Sequence, residues 1–263
     1  MLDPKLPAKI AALMRASIAA AMMYRSNFIF GFFGGIGQTI GRVAPLWLVY
    51  QHTDAIRGWA PAEAMLVMSF FLILGAFQEG VLEPNLGEVV EAVRSGSLDL
   101  WLIKPIDAQV LVSMRKVDPT ELMKGFAGVI LGVASLSVLG APSVLDVAVA
   151  AVMLALGMTA IYGLWMLAIC TSFWWVSVDN LRYLLMASTA AGRWPITVFG
   201  GLARFVLTAV IPVALVTSFP AMALRGQWGV AILAQAAAIA LVFVVASRLL
   251  WRRGLASYTS ASS

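Results

Sequence analysis

Apolar residues in this chain come in runs too long for the core of a soluble domain. Stretches of about 20 mostly apolar residues, the length that a bilayer crossing needs, recur near 28–50, 62–82, 124–141, 144–173, 198–219 and 229–250. The polar segments between them are too short to fold separately. The pattern predicts a single all-α integral membrane domain with six transmembrane helices over 28–250. A cleaved signal peptide is not read at the start, because the first apolar run is too long and lacks a small-residue cleavage pattern. Ahead of that run, Ile10, Leu13, Met14, Ile18 and Met22 recur at helical spacing after Pro7, with Lys9 and Arg15 off the stripe. This predicts an N-terminal interfacial helix within 1–27, lying on the membrane face or packed on other spans. Residues 251–263 are read as a tail.

The polar segment 83–123 has its own pattern. Asn85 is placed as an N-cap with Glu88 as its capping-box partner. Leu86, Val89, Val90 and Val93 then share one helical face, while Glu88, Glu91 and Arg94 share the other. Glu91 and Arg94 are spaced to pair, and Gly96 is placed as a left-handed cap. A short amphipathic helix of about ten residues is expected, too short to span a bilayer. An extended stretch from Ser97 to Pro105 follows, since Pro105 biases Lys104 away from helix. A second short helix is expected from Asp107 to near Lys116. Asp118-Pro119-Thr120-Glu121 then starts the third span with a cap, a first-turn proline and an acid. A floppy linker would be richer in Gly, Ser and Pro. The segment reads as a docking element for a soluble partner or, alternatively, as an interfacial linker without one.

Composition sharpens this picture. Of 263 residues, 61% are hydrophobic and 12% are charged, and the mean hydropathy is +0.91. Soluble domains average about 45–50% apolar and about 25% charged, so the excess faces lipid. One cysteine, Cys170, and one histidine, His52, argue against a disulfide framework, a metal centre and a Ser-His-Asp triad. The net charge of +5 could suggest a nucleic-acid partner, but its distribution reads as topology. Fourteen of the 18 basic residues fall in the N-terminal segment, the loops after the second and fourth runs, and the tail. Arg57 and Arg225 are alone on the other side. Both termini are therefore expected in the cytoplasm.

The first run carries two further signals. Gly34, Gly37 and Gly41 include a small-xxx-small face that permits close helix approach, between subunits or within one chain. Arg42 lies inside the same run, where an unpaired charge costs at least ~2.5 kcal/mol. Glu79 is its candidate counter-charge, although span topology sets Arg42 toward the outer leaflet and Glu79 toward the inner. The pair reads as a structural ion pair or as a substrate contact in the pathway. Pro195, Pro212 and Pro220 punctuate the fifth run and could break its helix.

The run VRSGSLDLWLIKPIDAQVLVSMRKVD (93–118) carries an R-x-G-x-L-D-x-x-L-x-K-P pattern. With FWWVSVDNL (173–181), AGRWPITVFGG (191–201) and RRGLASYTSASS (252–263), it resembles the ABC type-2 exporter family of ABC transporter permeases. The resemblance implies a coupling helix between the second and third spans and a permease working beside a second, identical or related, permease. It also implies two separate ATPase subunits that carry ATP and Mg. The coupling role falls on Glu88, Glu91, Arg94, Gly96, Leu98, Asp99, Lys104 and Pro105, and the subunit interface on Gly34, Gly37 and Gly41. With no G-x-x-x-x-G-K-[ST] loop in the sequence, ATP chemistry and its cofactors are expected on the partner, not on this chain. The expected setting is a bacterial inner membrane, with lipid as a further partner. A channel or ion-coupled transporter is the alternative, though few ionisable residues sit near the bilayer midplane as such transport needs.

Overall fold

In a computed structural model, which describes residues 15, 25–174 and 181–258, the fold is helical. The expected helix over 7–26 falls almost wholly outside the described residues. Helix α1 is Arg25–Tyr50 and α2 is Pro61–Ser95. The turn α3, Asp99–Leu102, and the short α4, Ala108–Ser113, lead to α5, Pro119–Leu139. Then come α6, Val144–Phe173, α7, Leu181–Thr189, α8, Gly201–Val210, α9, Val213–Leu224, and α10, Val230–Ser257.

The starts of these helices follow from local chemistry. Asp118 accepts the Thr120 and Glu121 N–H groups at 2.8 and 3.3 Å, ahead of Pro119. Ser143 and Asp146 form a reciprocal capping box at the head of α6, each side chain accepting the other's backbone N–H at 3.1 Å. Glu63 accepts the Ala60 N–H at 2.9 Å and opens α2 after Pro61.

Among the described residues four helices, α2, α5, α6 and α10, are long and apolar enough to cross a membrane. Helix α1 has the length, but its glycines, Gln38 and Arg42 dilute its apolar content. Helix α2 is the axis of the bundle, with 72% of its apolar window buried against 11% for α5. Leu74, Leu82, Leu86 and Val89 of α2 pack in one cluster with Ile161, Trp165 and Ile169 of α6 and Trp251 of α10.

Several expectations need correction. The second span does not end at 82, and Asn85 is not an N-cap. Helix α2 runs unbroken to Ser95 through a π-helical turn at Gln78–Leu82, because the apolar stripe of its extension, from Leu82 to Ala92, packs on α6. The stretch 97–105 is not extended: Asp99–Leu102 makes a helical turn before Pro105 stops it. The second short helix ends at Ser113 rather than near Lys116.

The fifth run, expected as one span, is a helix pair bent by 71° at Ile211–Pro212. Trp59, in the α1–α2 connection, donates to Thr197 just before the pair at 2.7 Å. Arg225, just after it, is ion-paired with Glu63 at the same rim. Both ends of the pair thus lie at one end of the bundle, so α8 and α9 form a re-entrant hairpin. Before it, the chain climbs beside α2 from Thr189, hydrogen-bonded to Gln78 at 3.3 Å, to Thr197 at the rim. Arg193 therefore leaves the basic face and lies over the Phe71 ring at 5.8 Å, inside the bundle.

Candidate functional site

Two groups of residues stand out, one on the extension of α2 beyond the π-helical turn and one at that turn.

The extension is a strut fastened along its length. Leu86, Val89 and Ala92 point into the core, and Asn85 lies on the same face one turn before Val89. Asn85, itself buried, donates to the Val81 and Lys116 carbonyls at 2.7 and 2.6 Å, and accepts the Lys116 N–H at 2.7 Å. Its amide thus pins the returning chain as a second strand would. Glu88 takes Arg115 and Lys116 as ion-pair partners, and Arg115 covers the Trp101 ring at 4.1 Å. A π-helical turn shifts the hydrogen-bond ladder by one residue. Beside this one, the Gly80 carbonyl accepts the Asp118 N–H at 2.9 Å.

At the end of the strut Gly96 takes φ 75°, a left-handed conformation that favours glycine. The Leu98 N–H then returns to the Ala92 carbonyl at 3.1 Å, and the Leu98 side chain is fully buried. Asp99 lies near Tyr258, whose phenol is pushed up first by burial and then by the Asp99 charge. Asp107 caps α4 by accepting the Gln109 and Val110 N–H groups at 3.0 and 3.3 Å. It also receives both guanidinium nitrogens of Arg248, one of them at 2.9 Å. That partnership holds its carboxyl below the usual value of 3.8.

The residues expected to couple thus divide by position. Glu91 and Arg94 are exposed near the tip of the strut, and Lys104 and Pro105 are exposed on the turn that follows. Glu88 is committed to the basic pair, Gly96 makes the turn and Leu98 anchors it. Sequence reasoning missed Asn85 as a clamp on Lys116, Arg115 and Lys116 as the partners of Glu88, the Arg115–Trp101 contact, and the Asp107–Arg248 pair. These contacts join residues 14 to 141 positions apart, which helical spacing does not register.

The second group surrounds the π-helical turn. Arg42 of α1 forms an ion pair with Glu79, so the expected separation by leaflet is corrected. One turn along from Leu46, which packs on Ala64 and Met68, the Arg42 side chain passes over Gly75. A Cβ at Gly75 would lie 2.7 Å from its Nη1. The long side chain thereby covers the turn of helix that separates the two levels. Lys124 of α5 pairs with Glu121 and lies 3.8 Å from Glu79, and its ammonium donates to Gln38 at 3.0 Å. A cavity of about 450 Å³ opens beside them, lined also by Glu83 and Asp118. Charges from three helices are thus mutually compensated where each alone would be costly.

Gly34, Gly37 and Gly41 face outward from α1, and a Cβ at any of them would meet nothing within 4 Å. The inward face carries Gly35, Thr39, Arg42, Val43 and Leu46. Close packing among the described residues therefore does not explain the outward glycines.

Comparison with known proteins agrees with this architecture. A family model described as ABC-2 family transporter protein matches residues 36–262. Searches of curated proteins and of solved structures return no match. The match takes in α2, the fastened extension and the re-entrant hairpin, and the chain belongs to the ABC-2 transporter family as a permease-type membrane component.

Proposed function

We propose that the chain is the permease subunit of an ATP-driven exporter in a bacterial inner membrane, with both termini in the cytoplasm. In this reading two permeases, identical or related, form the substrate pathway, and each docks on a separate ATPase subunit that holds ATP and Mg. The observation that carries it is the unbroken α2, whose fastened extension ends in exposed Glu91 and Arg94. A contact made there acts on a rigid element that is also the buried axis of the membrane bundle. Dimerisation of the ATPases would tilt α2, and the ion pairs at the π-helical turn would be broken and remade as α1 and α5 slide past it. The outward glycines Gly34, Gly37 and Gly41 are the face offered to the second permease.

The test is charge reversal at the tip. The variant Glu91→Arg should keep the wild-type unfolding temperature and still copurify as a membrane protein. Its ATPase partner should lose substrate-stimulated turnover. Intact coupled transport in that variant, or no ATP-binding protein recovered with the wild type, refutes the reading.

A further inference from the structure

The segment between the strut and α4 has an unusual position. Tyr162 and Arg248 each lie 18 residues into α6 and α10, or about 27 Å from the far ends of those helices at 1.5 Å per residue. The hydrocarbon layer of a bilayer is about 30 Å thick. Both residues terminate exposed stripes: Val152, Ala155 and Thr159 lead to Tyr162, and Leu241 and Val245 lead to Arg248. Helix α4 is fastened to these two stripe ends. Gln109 donates to the Tyr162 hydroxyl at 3.3 Å, Ser113 lies 2.8 Å from the same hydroxyl, and Arg248 holds Asp107.

The chain therefore descends from the membrane edge at Asp107 back to Asp99 near Tyr258, beyond the last turn of α10. The residues in between cross the headgroup layer. They expose Leu100, Leu102 and Ile103, the last at 79%, beside the exposed Lys104. Arg252, one turn past Arg248 on the same stripe, is exposed as well. Apolar side chains flanked by cations at this depth match the acyl-chain boundary and phosphates of a lipid leaflet.

We propose that the turn 100–105 is a lipid anchor, with Leu102 and Ile103 inserted at the edge of the leaflet and Lys104 set among anionic headgroups. The occupant is the phospholipid leaflet that already covers the stripes of α6 and α10, continued over the turn. The anchor fixes the depth of the loop so that Glu91 and Arg94 project toward water. It rests on the chain spanning a membrane and is independent of any ATPase.

The test uses the full chain in vesicles of phosphatidylethanolamine and phosphatidylglycerol. Ile103→Cys, Leu102→Cys and, as an aqueous reference, Glu91→Cys are labelled with bimane; Cys170 is buried and stays unlabelled. Quenching by brominated lipid should be several-fold stronger at 102 and 103 than at 91, with iodide giving the reverse order. Lys104→Glu, or omission of phosphatidylglycerol, should weaken the brominated-lipid quenching about two-fold. Equal iodide access at 103 and 91 overturns the proposal. So does shielding at 103 that appears only when an ATPase subunit is bound, which would assign the turn to a soluble partner.

Discussion

Arg42 and Glu79 meet because Gly75 lets them. The guanidinium crosses α2 at Gly75, where a side chain would stand in its way, and reaches a carboxylate one turn further along. Replacing Glu79 by Gln leaves Arg42 short of compensation at membrane depth, at a cost of about 2.5 kcal/mol. The double variant Arg42→Leu/Glu79→Leu should recover much of that loss. A thermal-unfolding double-mutant cycle showing simple additivity would contradict the pairing. Gly75→Leu should imitate the single Glu79 variant by displacing the arginine.

Asn85 holds both backbone groups of Lys116. Asn85→Ala leaves them and the Val81 contact unmatched, with an expected loss of about 1–3 kcal/mol. Asn85→Asp keeps the acceptor and loses the donors, so it should recover only part of the stability. Unfolding temperature reports the loss. Protease cleavage between Met114 and Val117 should rise in step with it.

The Asp107–Arg248 pair makes a prediction about pH. A carboxyl lowered below 3.8 in the folded chain contributes stability that is complete above that unfolded value. The contribution disappears as pH falls through the folded value. Because the pair is partly exposed, its contribution is about 0.2–1 kcal/mol. Asp107→Asn should thus unfold at a lower temperature than wild type at neutral pH, and the gap should close below pH 3.8. A gap that persists in acid would assign the effect to the cap and not to the charge.

Two glycines on different helices separate packing from assembly. At Gly157 a Cβ would lie 2.7 Å from the Leu215 backbone, so Gly157→Ala should cost about 1–3 kcal/mol through overpacking. At Gly37 there is open space, so Gly37→Leu should change the stability of the single chain by less than about 0.5 kcal/mol. Cross-linking between permease copies should nevertheless fall in Gly37→Leu. Unchanged cross-linking removes this face from the interface.

Which parts of this molecule could be read from its sequence depends on the range of the interactions involved. The start of α5 at Asp118-Pro119, the cap of α4 at Asp107 and the left-handed turn at Gly96 are local matters of a few bonds, and each stands where the pattern sets it. The run 144–173 is apolar throughout and folds as one helix. Asn85 shows the opposite case. Its spacing to Glu88 is that of a capping box, but α6 offers the apolar stripe of 86–92 a continuous surface, and packing carries the helix straight through the cap. The hairpin α8–α9 misled for a different reason, because a length of apolar chain is the same whether it crosses or turns back. Only Trp59 with Thr197, and Glu63 with Arg225, distinguish the two.

The π-helical turn also divides α2 into two arms, Pro61–Phe77 and Glu83–Ser95, about 26 and 20 Å long by helical rise. Pivoting there, the helix has a mechanical gain close to one: a push of a few ångströms at Ser95 returns as a slightly larger swing, in the opposite sense, at Pro61. Pro61 stands beside Glu63, which holds Arg225 at the mouth of the re-entrant hairpin. One stiff rod thus connects the tip at Ser95 with the mouth of the hairpin, and its stroke needs no amplification along the way.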